Sequence, residues 1–271
     1  MKPDWLKVPK AHDSKLTKLI HENHIHTICQ EAKCPNMAEC FSKRTATFLI
    51  LGNICSRDCR YCNVQTGKPS KVDAKEAMRI AQAVKKLNLK YVVLTSVTRD
   101  DLQDGGAKTY LQTIKEIRKI NNKVKIEIIT PDFRDQIKKI LTVQPDVFGH
   151  NIEVVKRLFP KIRPQGNYLR SLVFLKQIKE FSPRQCTKSG FMVGFGETKD
   201  EIAATLKDLK KAKVDIVTIG QYLQPRKDLH DVKKYYHPLE FNEFKEIGEQ
   251  LGLKMVSGPL VRSSYHADEM I

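Results

Sequence analysis

From about residue 46 onward the chain alternates short runs of β-branched residues with stretches of helical period. ATFLILGN reads as a strand, and DAKEAMRIAQAVKKLN then places Ala77, Ile80, Ala81, Val84 and Leu87 on one helical face. YVVLTSV, VKIEIIT, VFGHNI, CTKSGFMVGF, IVTIGQYL and KMVSGPL follow as strands. Between them lie helical faces marked by Ile114 and Ile117, by Ile137 and Ile140, by Leu172 and Leu175, by Leu206 and Leu209, and by Phe244 and Ile247. Six or seven strands alternating with helices predict an α/β fold on a parallel sheet, open or closed into a full or partial barrel. Residues 1–45 and 256–271 lie outside the alternation, and no repeat of solenoid length is present.

In such sheets the functional groups gather where strands end and loops begin. The first strand is followed by a loop with three cysteines, ICSRDCRYCN. SVTRDDLQDGG, HNIE, GFGET and GQYLQPR follow later strands in the same way. The chemistry is therefore expected on one rim of the sheet.

A chain of 271 residues suffices for one sizeable core and one main domain. Lys and Arg number 48 against 31 Asp and Glu, a formal charge of +17 spread along the chain. That excess favours an acidic partner, nucleic acid or an acidic protein surface, without choosing between them. No apolar run approaches the roughly 18 residues of a membrane span, and the N-terminus lacks the apolar core of a secretory signal. A soluble, cytoplasmic protein is expected, and in a reducing compartment clustered cysteines read as metal ligands or redox groups rather than disulfides. An odd total of seven cysteines fits the same reading.

Cys55, Cys59 and Cys62 have the spacing C-x3-C-x2-C. Three thiolates on so tight a loop can bind three corners of a cubane iron–sulfur cluster, leaving one iron open to a substrate or cofactor. Zinc with His24 or His26 as a further ligand is the alternative, disfavoured because zinc sites usually draw on a second, distant pair. Cys29, Cys34 and Cys40 form a second trio, C-x4-C-x5-C. Two sites are favoured over one shared site because each trio is locally complete. Cys186, at the start of a predicted strand, reads as a small buried hydrophobe.

The first trio, with aromatic Tyr61 directly before its last cysteine and its place after the first strand, resembles the radical S-adenosylmethionine superfamily. With the upstream trio and the ending VRSSYHA it resembles the lipoyl synthase family. KPDWLK, SVTRDDLQDGGA, HNIEVVKRL, KSGFMVGFGET and GQYLQP agree, so the likeness runs from about residue 2 to 268. Gly149, where a polar residue is expected, and Lys108-Thr109 depart from the pattern and are expected to alter local substrate contacts at most.

The resemblance implies a partial (β/α)6 barrel over residues 46–255, with an N-terminal extension (1–45) and a C-terminal tail (256–271) closing over its mouth. It implies two 4Fe-4S clusters. Cys55, Cys59 and Cys62 would hold the one that binds and cleaves S-adenosylmethionine; Cys29, Cys34 and Cys40 would hold an auxiliary cluster, with Ser264, or failing that Ser263, as fourth ligand. The implied reaction inserts sulfur at C6 and C8 of an octanoyl chain on a lysine of a lipoyl carrier domain. Such domains belong to 2-oxoacid dehydrogenase E2 subunits and the glycine cleavage H protein, and flavodoxin or ferredoxin would donate electrons. No membrane and no nucleic acid is implied. Without the resemblance, RSSY reads as a surface tail with a turn-forming serine pair.

Tyr61 is expected beside the adenine, Thr95 and Ser96 at the methionine end of the cofactor, and Asn151 and Glu153 at its ribose or carboxylate. The glycines of GFMVGFGET are expected to let backbone approach the cofactor, since the motif lacks the Lys and Ser/Thr of a phosphate loop. Arg99, Asp100 and Asp101 read as a solvated loop. Two other functions compete. One keeps the radical cofactor for sulfur insertion into a small molecule or methylthiolation of transfer RNA. The other is a non-catalytic, metal-stabilised nucleic-acid module, disfavoured because basic residues are dispersed and aromatics are 7% of the chain.

Overall fold

In the computed structural model, which describes residues 2–7, 14–42, 46–133 and 135–271, the predicted alternation becomes one open sheet. The N-terminal extension contains α1 (Ser14–Glu22), β1 (His26–Thr27), α2 (Ile28–Glu31) and α3 (Met37–Ser42). The expected boundary at 45/46 falls beside residues 43–45, which lie outside the described residues. β2 (Thr47–Ile50) starts the main alternation, and the cysteine loop after it carries a small ribbon, β3 (Ile54–Cys55) and β4 (Gln65–Thr66). There follow α4 (Glu76–Lys86), β5 (Tyr91–Ser96), α5 (Ala107–Ile120), β6 (Lys125–Ile129), α6 (Ile137–Leu141) and β7 (Val147–Gly149). The second half contains α7 (Phe159–Ile162), α8 (Tyr168–Phe181), β8 (Cys186–Val193), α9 (Lys199–Lys211), β9 (Ile216–Gln221), α10 (Pro238–Gln250) and β10 (Lys254–Gly258).

The sheet order is β1-β2-β5-β6-β7-β8-β9-β10, with β1 antiparallel to β2 and every other pairing parallel. β1 and β10 are the two edges and do not pair, so this is a partial barrel. All residues of β2 and β9 are buried, as expected for parallel strands covered on both faces. Local sequence fixes several helix starts. Thr198 and Glu201 form a capping box at α9, and His237 and Glu240 another at α10, where Pro238 occupies the first turn.

VFGHNI forms a much shorter strand than expected, ending at Gly149. The chain then bends, with Glu153 in the left-handed region at φ 69° and only a single bridge to Phe191. Gly149 itself sits where a Cβ would lie 3.0 Å from the Ile128 carbonyl oxygen. Its departure from the pattern therefore reflects strand packing, not substrate contact. Lys108 and Thr109 open α5, where Lys108 N is bonded to Asp104 and Thr109 is buried in the helix packing.

At the amino ends of the strands the interior contains a buried ion pair, Lys188 Nζ to Glu127 Oε1 at 2.9 Å, with Tyr91 donating to Glu127 Oε2 at 2.7 Å. Ala267 of the tail packs against Tyr91 and Val93 there. Nearer the other end, Asn36 donates to the Leu260 carbonyl, and Tyr265 and His266 contact Glu39. Side chains of extension and tail thus join the two sides of the barrel that the backbone ladder leaves open.

Candidate metal centre and active site

The cysteine loop is fixed at several points. Ser56 N and Thr98 O bond at 3.1 Å, Arg60 N reaches Ile162 O at 2.8 Å, and His230 N reaches Arg60 O at 2.8 Å. Cys55 Sγ accepts from the backbone N–H of Arg57 and of Thr98, both at 3.4 Å. The largest tie is Arg57, between the first two cysteines. Its guanidinium grips Asp100 with two bonds of 2.7 and 2.8 Å and reaches Asp132 at 3.0 Å, and Asp132 also pairs with Arg170. The loop is thus tied to the turns after β5 and β6 and to α8.

The solvated-loop expectation holds for Asp100 and Asp101, whose side chains are 40% and 41% exposed, and fails for Arg99. Arg99 is 3% exposed, paired with Asp101 and bonded to the Leu51 carbonyl, while Asp100 is the partner of buried Arg57. The TRDD turn supports the cysteine loop from below.

The other trio is held by its own backbone. Thr27 caps α2 by accepting from Gln30 N, Cys34 N bonds Cys29 O at 2.9 Å, and Cys40 N bonds Asn36 O at 2.9 Å. A cavity of about 740 Å³ lies between the trios. It is lined by Cys29 and Cys34 from one and by Cys55, Cys59 and Cys62 from the other, with Cys40 on α3 outside that lining. Tyr61, Thr95, Ser96, Asn151, Glu153, and the tail serines Ser263 and Ser264, line the same space. Cys186 is remote from it, half-buried at the start of β8 near Asp215 and Glu127.

Within this cavity Tyr61 and Asn151 lie beside the Glu153 carboxylate, and both favour its charged form. Burial pushes Glu153 upward, while the charge of Arg163 opposes that shift. Thr95 has its hydroxyl committed to the Ile129 carbonyl at 3.0 Å, leaving it an acceptor toward the cavity. Of the expected cofactor-approaching glycines, only Gly190 lines the cavity. Gly194 and Gly196 instead supply a positive-φ turn against Gln221 and Lys233.

Several functional groups carry no recognisable motif. Arg163 is buried beside Cys59, Tyr61 and Glu153; it donates to the Asn151 carbonyl at 3.1 Å, and among the described residues its Nε has no hydrogen-bond partner. Arg262 and Lys2 stand on the side of the auxiliary trio. His150, fully buried, donates through Nδ1 to the Thr130 carbonyl and accepts from Ser171 at Nε2; burial, and then Arg163, push its pKa down to about 4.

The donor set suits iron–sulfur cubanes better than single ions. Among the described residues no three His, Cys, Asp or Glu side chains converge closely enough to hold one metal ion, so the zinc alternative lacks its ligand set. A cubane places its irons at separate corners, so its thiolates need not meet at a point. Burial pushes the thiols up, Cys29 and Cys59 to about 11 and Cys62 to about 12, so binding iron must displace their protons.

The fold and this loop define a radical S-adenosylmethionine enzyme: the radical SAM superfamily model matches residues 49–221. Solved structures share the fold at low identity. SuiB of Streptococcus suis, bound to S-adenosylmethionine, aligns with a TM-score of 0.60 at 11% identity over 82% of this chain and 53% of its own. Methylornithine synthase aligns at 0.54 and 13%, over 78% and 70%.

The chain belongs to the lipoyl synthase family. Lipoyl synthase of Caldicellulosiruptor saccharolyticus is 51% identical over 99% of this chain and 96% of its own length. That of Geobacillus thermodenitrificans is 50% identical over 100% and 93%. The protein is accordingly a radical SAM sulfurtransferase, with two 4Fe-4S clusters and S-adenosylmethionine as its cofactors. Transfer RNA methylthiolation and non-catalytic nucleic-acid binding fall away on the same finding. Among the described residues no helix is long and apolar enough to cross a membrane.

Proposed function

We propose that this chain inserts sulfur at C6 and C8 of an octanoyl group carried on a lysine of a lipoyl carrier domain. The observation that carries this reading is that one whole cysteine trio, Cys29 and Cys34 of the other, and the tail serines face one cavity. A saturated chain offers no acidic proton and no electrophile, so acid–base or nucleophilic groups alone cannot activate it. When bound, the clusters and S-adenosylmethionine supply the radical and the sulfur that such a carbon requires.

The residues of the chain then divide the remaining work. Cys55, Cys59 and Cys62 would hold the cluster that faces S-adenosylmethionine; Tyr61, Asn151 and Glu153 would bind the cofactor's polar groups from one wall, and Thr95 with Ser96 from another. Ile28, Met37, Leu49, Val97, Met192 and Leu223 supply apolar lining for a methylene chain and exclude water from the reacting carbons. Cys29, Cys34 and Cys40 hold the auxiliary cluster, with Ser264 as fourth ligand. Ser263 is less suited to that role because its hydroxyl would lie 2.7 Å from a Cβ on Gly190, which turns it toward β8. Serine oxygen is a harder donor than thiolate, so Ser264 would be the most weakly held of the four ligands.

Residues 1–45 act as the extension that brings the auxiliary thiols, 46–255 as the barrel, and 256–271 as the tail that completes the site. The carriers are the lipoyl domains of 2-oxoacid dehydrogenase E2 subunits and the glycine cleavage H protein; flavodoxin or ferredoxin supplies electrons, in the cytoplasm. A chain charged +17 is suited to acidic partners, and association weakens with salt.

Anaerobic incubation of the reconstituted protein with S-adenosylmethionine, a reductant and an octanoylated lipoyl domain tests this, read by intact mass of the domain. A gain of two sulfur atoms together with 5′-deoxyadenosine is the expected result. 5′-Deoxyadenosine with an unchanged domain would overturn the substrate, and neither product from iron-loaded protein would overturn the site.

A further inference from the structure

We propose, on the reading that Ser264 is the fourth ligand of the auxiliary trio, that Glu39 is a positioning residue that latches the C-terminal tail and so keeps that serine over the thiols. The interval between Cys34 and Cys40 contains two side chains bonded to the tail. Asn36 Nδ2 donates to the Leu260 carbonyl at 2.6 Å. Glu39 receives the Tyr265 hydroxyl on Oε2 at 2.8 Å and contacts His266 Nε2 through Oε1 at 2.9 Å. Leu260 precedes the serine pair and Tyr265 follows it. The loop that carries two thiols therefore grips the tail on both sides of the hydroxyls, across more than two hundred residues of sequence.

The tail does not take this path without help. His266 lies in the left-handed region at φ 51°, which a β-carbon disfavours, and its imidazole is held between Glu39 and Glu269, the latter at 2.8 Å. Tyr265 N bonds the Arg262 carbonyl at 3.0 Å, closing a turn that contains both serines, and the Tyr265 and His266 rings pack at 4.2 Å. Two of the tail's side-chain anchors thus converge on one carboxylate next to Cys40. A serine–iron bond is weak enough to need its oxygen held in place, and the carboxylate does so without ligating.

The Glu39 side chain is 40% exposed, so Glu39→Ala leaves no buried void and the chain should fold. Hydrogen exchange of the full chain is read before and after cluster reconstitution. Amides of residues 260–266 should exchange roughly tenfold faster or more in the variant, the factor that losing a hydrogen bond to a charged group allows. Glu39→Gln, which keeps one acceptor, should fall between.

Mössbauer spectra are then taken on full-length chains carrying Cys55→Ala, Cys59→Ala and Cys62→Ala, so that only the auxiliary cluster is observed. Adding Glu39→Ala should change the spectrum toward that given by Ser264→Ala. If Ser264→Ala leaves the spectrum unchanged, the ligand reading underneath is wrong. If Ser264→Ala changes it and Glu39→Ala does not, the latch is refuted, whether or not the tail exchanges faster.

Discussion

Replacing Arg57 with methionine should destabilise the fold and empty one cluster site more than the other. The methionine fills much of the volume but leaves two carboxylates without their cation. The half facing Asp100 is worth little, since that carboxylate is 40% exposed and its pairing is screened, about 1 kcal/mol or less. Asp132 is different, with its side chain 6% exposed. It keeps Arg170 at 2.6 Å, but that arginine is half-exposed. Removing one partner from a buried pair costs roughly 3–5 kcal/mol when nothing replaces it, and a surviving second cation should bring this term to about 2. The sum is about 3 kcal/mol, measured as the change in urea unfolding of the cluster-free protein. Arg57→Lys keeps the charge, loses the two-bond grip on Asp100, and should cost about half as much. Because Arg57 ties Cys55 and Cys59 to the turns after β5 and β6, the variant should lose iron from that trio, and iron per reconstituted chain should fall toward about half. An Arg57→Met protein within about 0.5 kcal/mol of the parent, the usual range for a surface change, with full iron, would refute the clamp.

Lys188→Met strands Glu127 in the barrel floor and should cost roughly 3–5 kcal/mol in denaturant unfolding, whereas Lys188→Met with Glu127→Leu should recover most of that; a double variant as unstable as the single contradicts the ion-pair account. His150 makes stability depend on acid. With a folded pKa of about 4 against an ordinary 6.5, the unfolded chain takes up its proton first, so stability is full above about pH 6.5 and falls between there and 4, by roughly 3 kcal/mol at most. Urea unfolding at pH 7 and pH 5 should show the loss, and His150→Asn should flatten it. Gly190→Ala puts a methyl group 2.7 Å from Ser263 Oγ and against Thr218 Oγ1. It should lower stability by about 1–3 kcal/mol as an overpacked site, and it should reduce the two-sulfur product more than 5′-deoxyadenosine. Equal losses of both would contradict a tail-specific effect.

The sheet was legible because its signals are local. Runs such as YVVLTSV and IVTIGQYL are apolar on both faces and became β5 and β9, and faces such as Ile80, Ala81 and Val84 became the buried side of α4. The thiols were legible because ligand spacing on a loop is short. What did not show was any function of contacts between distant segments. Nothing near Glu39 points to Tyr265, and nothing around Lys188, a charge in a strand, announces Glu127 beside it. Arg99 was read as solvated because charge in a loop usually is; the Leu51 carbonyl and Asp101 satisfy it inside the protein. The end of β7 was misjudged because alternation cannot show that Glu153 turns the backbone into the left-handed region.

The cavity's electrostatics give the two trios a common logic. Burial raises the pKa of Cys29, Cys34, Cys59 and Cys62, so these thiols keep their protons at pH 7 in the empty site. Ligation removes those protons and leaves a buried anion, which a low-dielectric site tolerates only with a cation close by. Each trio has one. Arg163 stands beside Cys59 and works against the rise in that thiol's pKa, and Arg262 does the same beside Cys34. Among the described residues Arg262 has no carboxylate within ion-pair range; its guanidinium donates to the Val261 carbonyl, and burial pushes its own pKa down. A buried arginine without a carboxylate is an unfavourable arrangement in an empty site and a favourable one beside an anionic cluster. Fold and cofactor are therefore coupled through charge: loading iron should relieve the strain of burying Arg262, and the same residue that sits next to Ser263 and Ser264 in the chain makes the auxiliary site prefer to be filled.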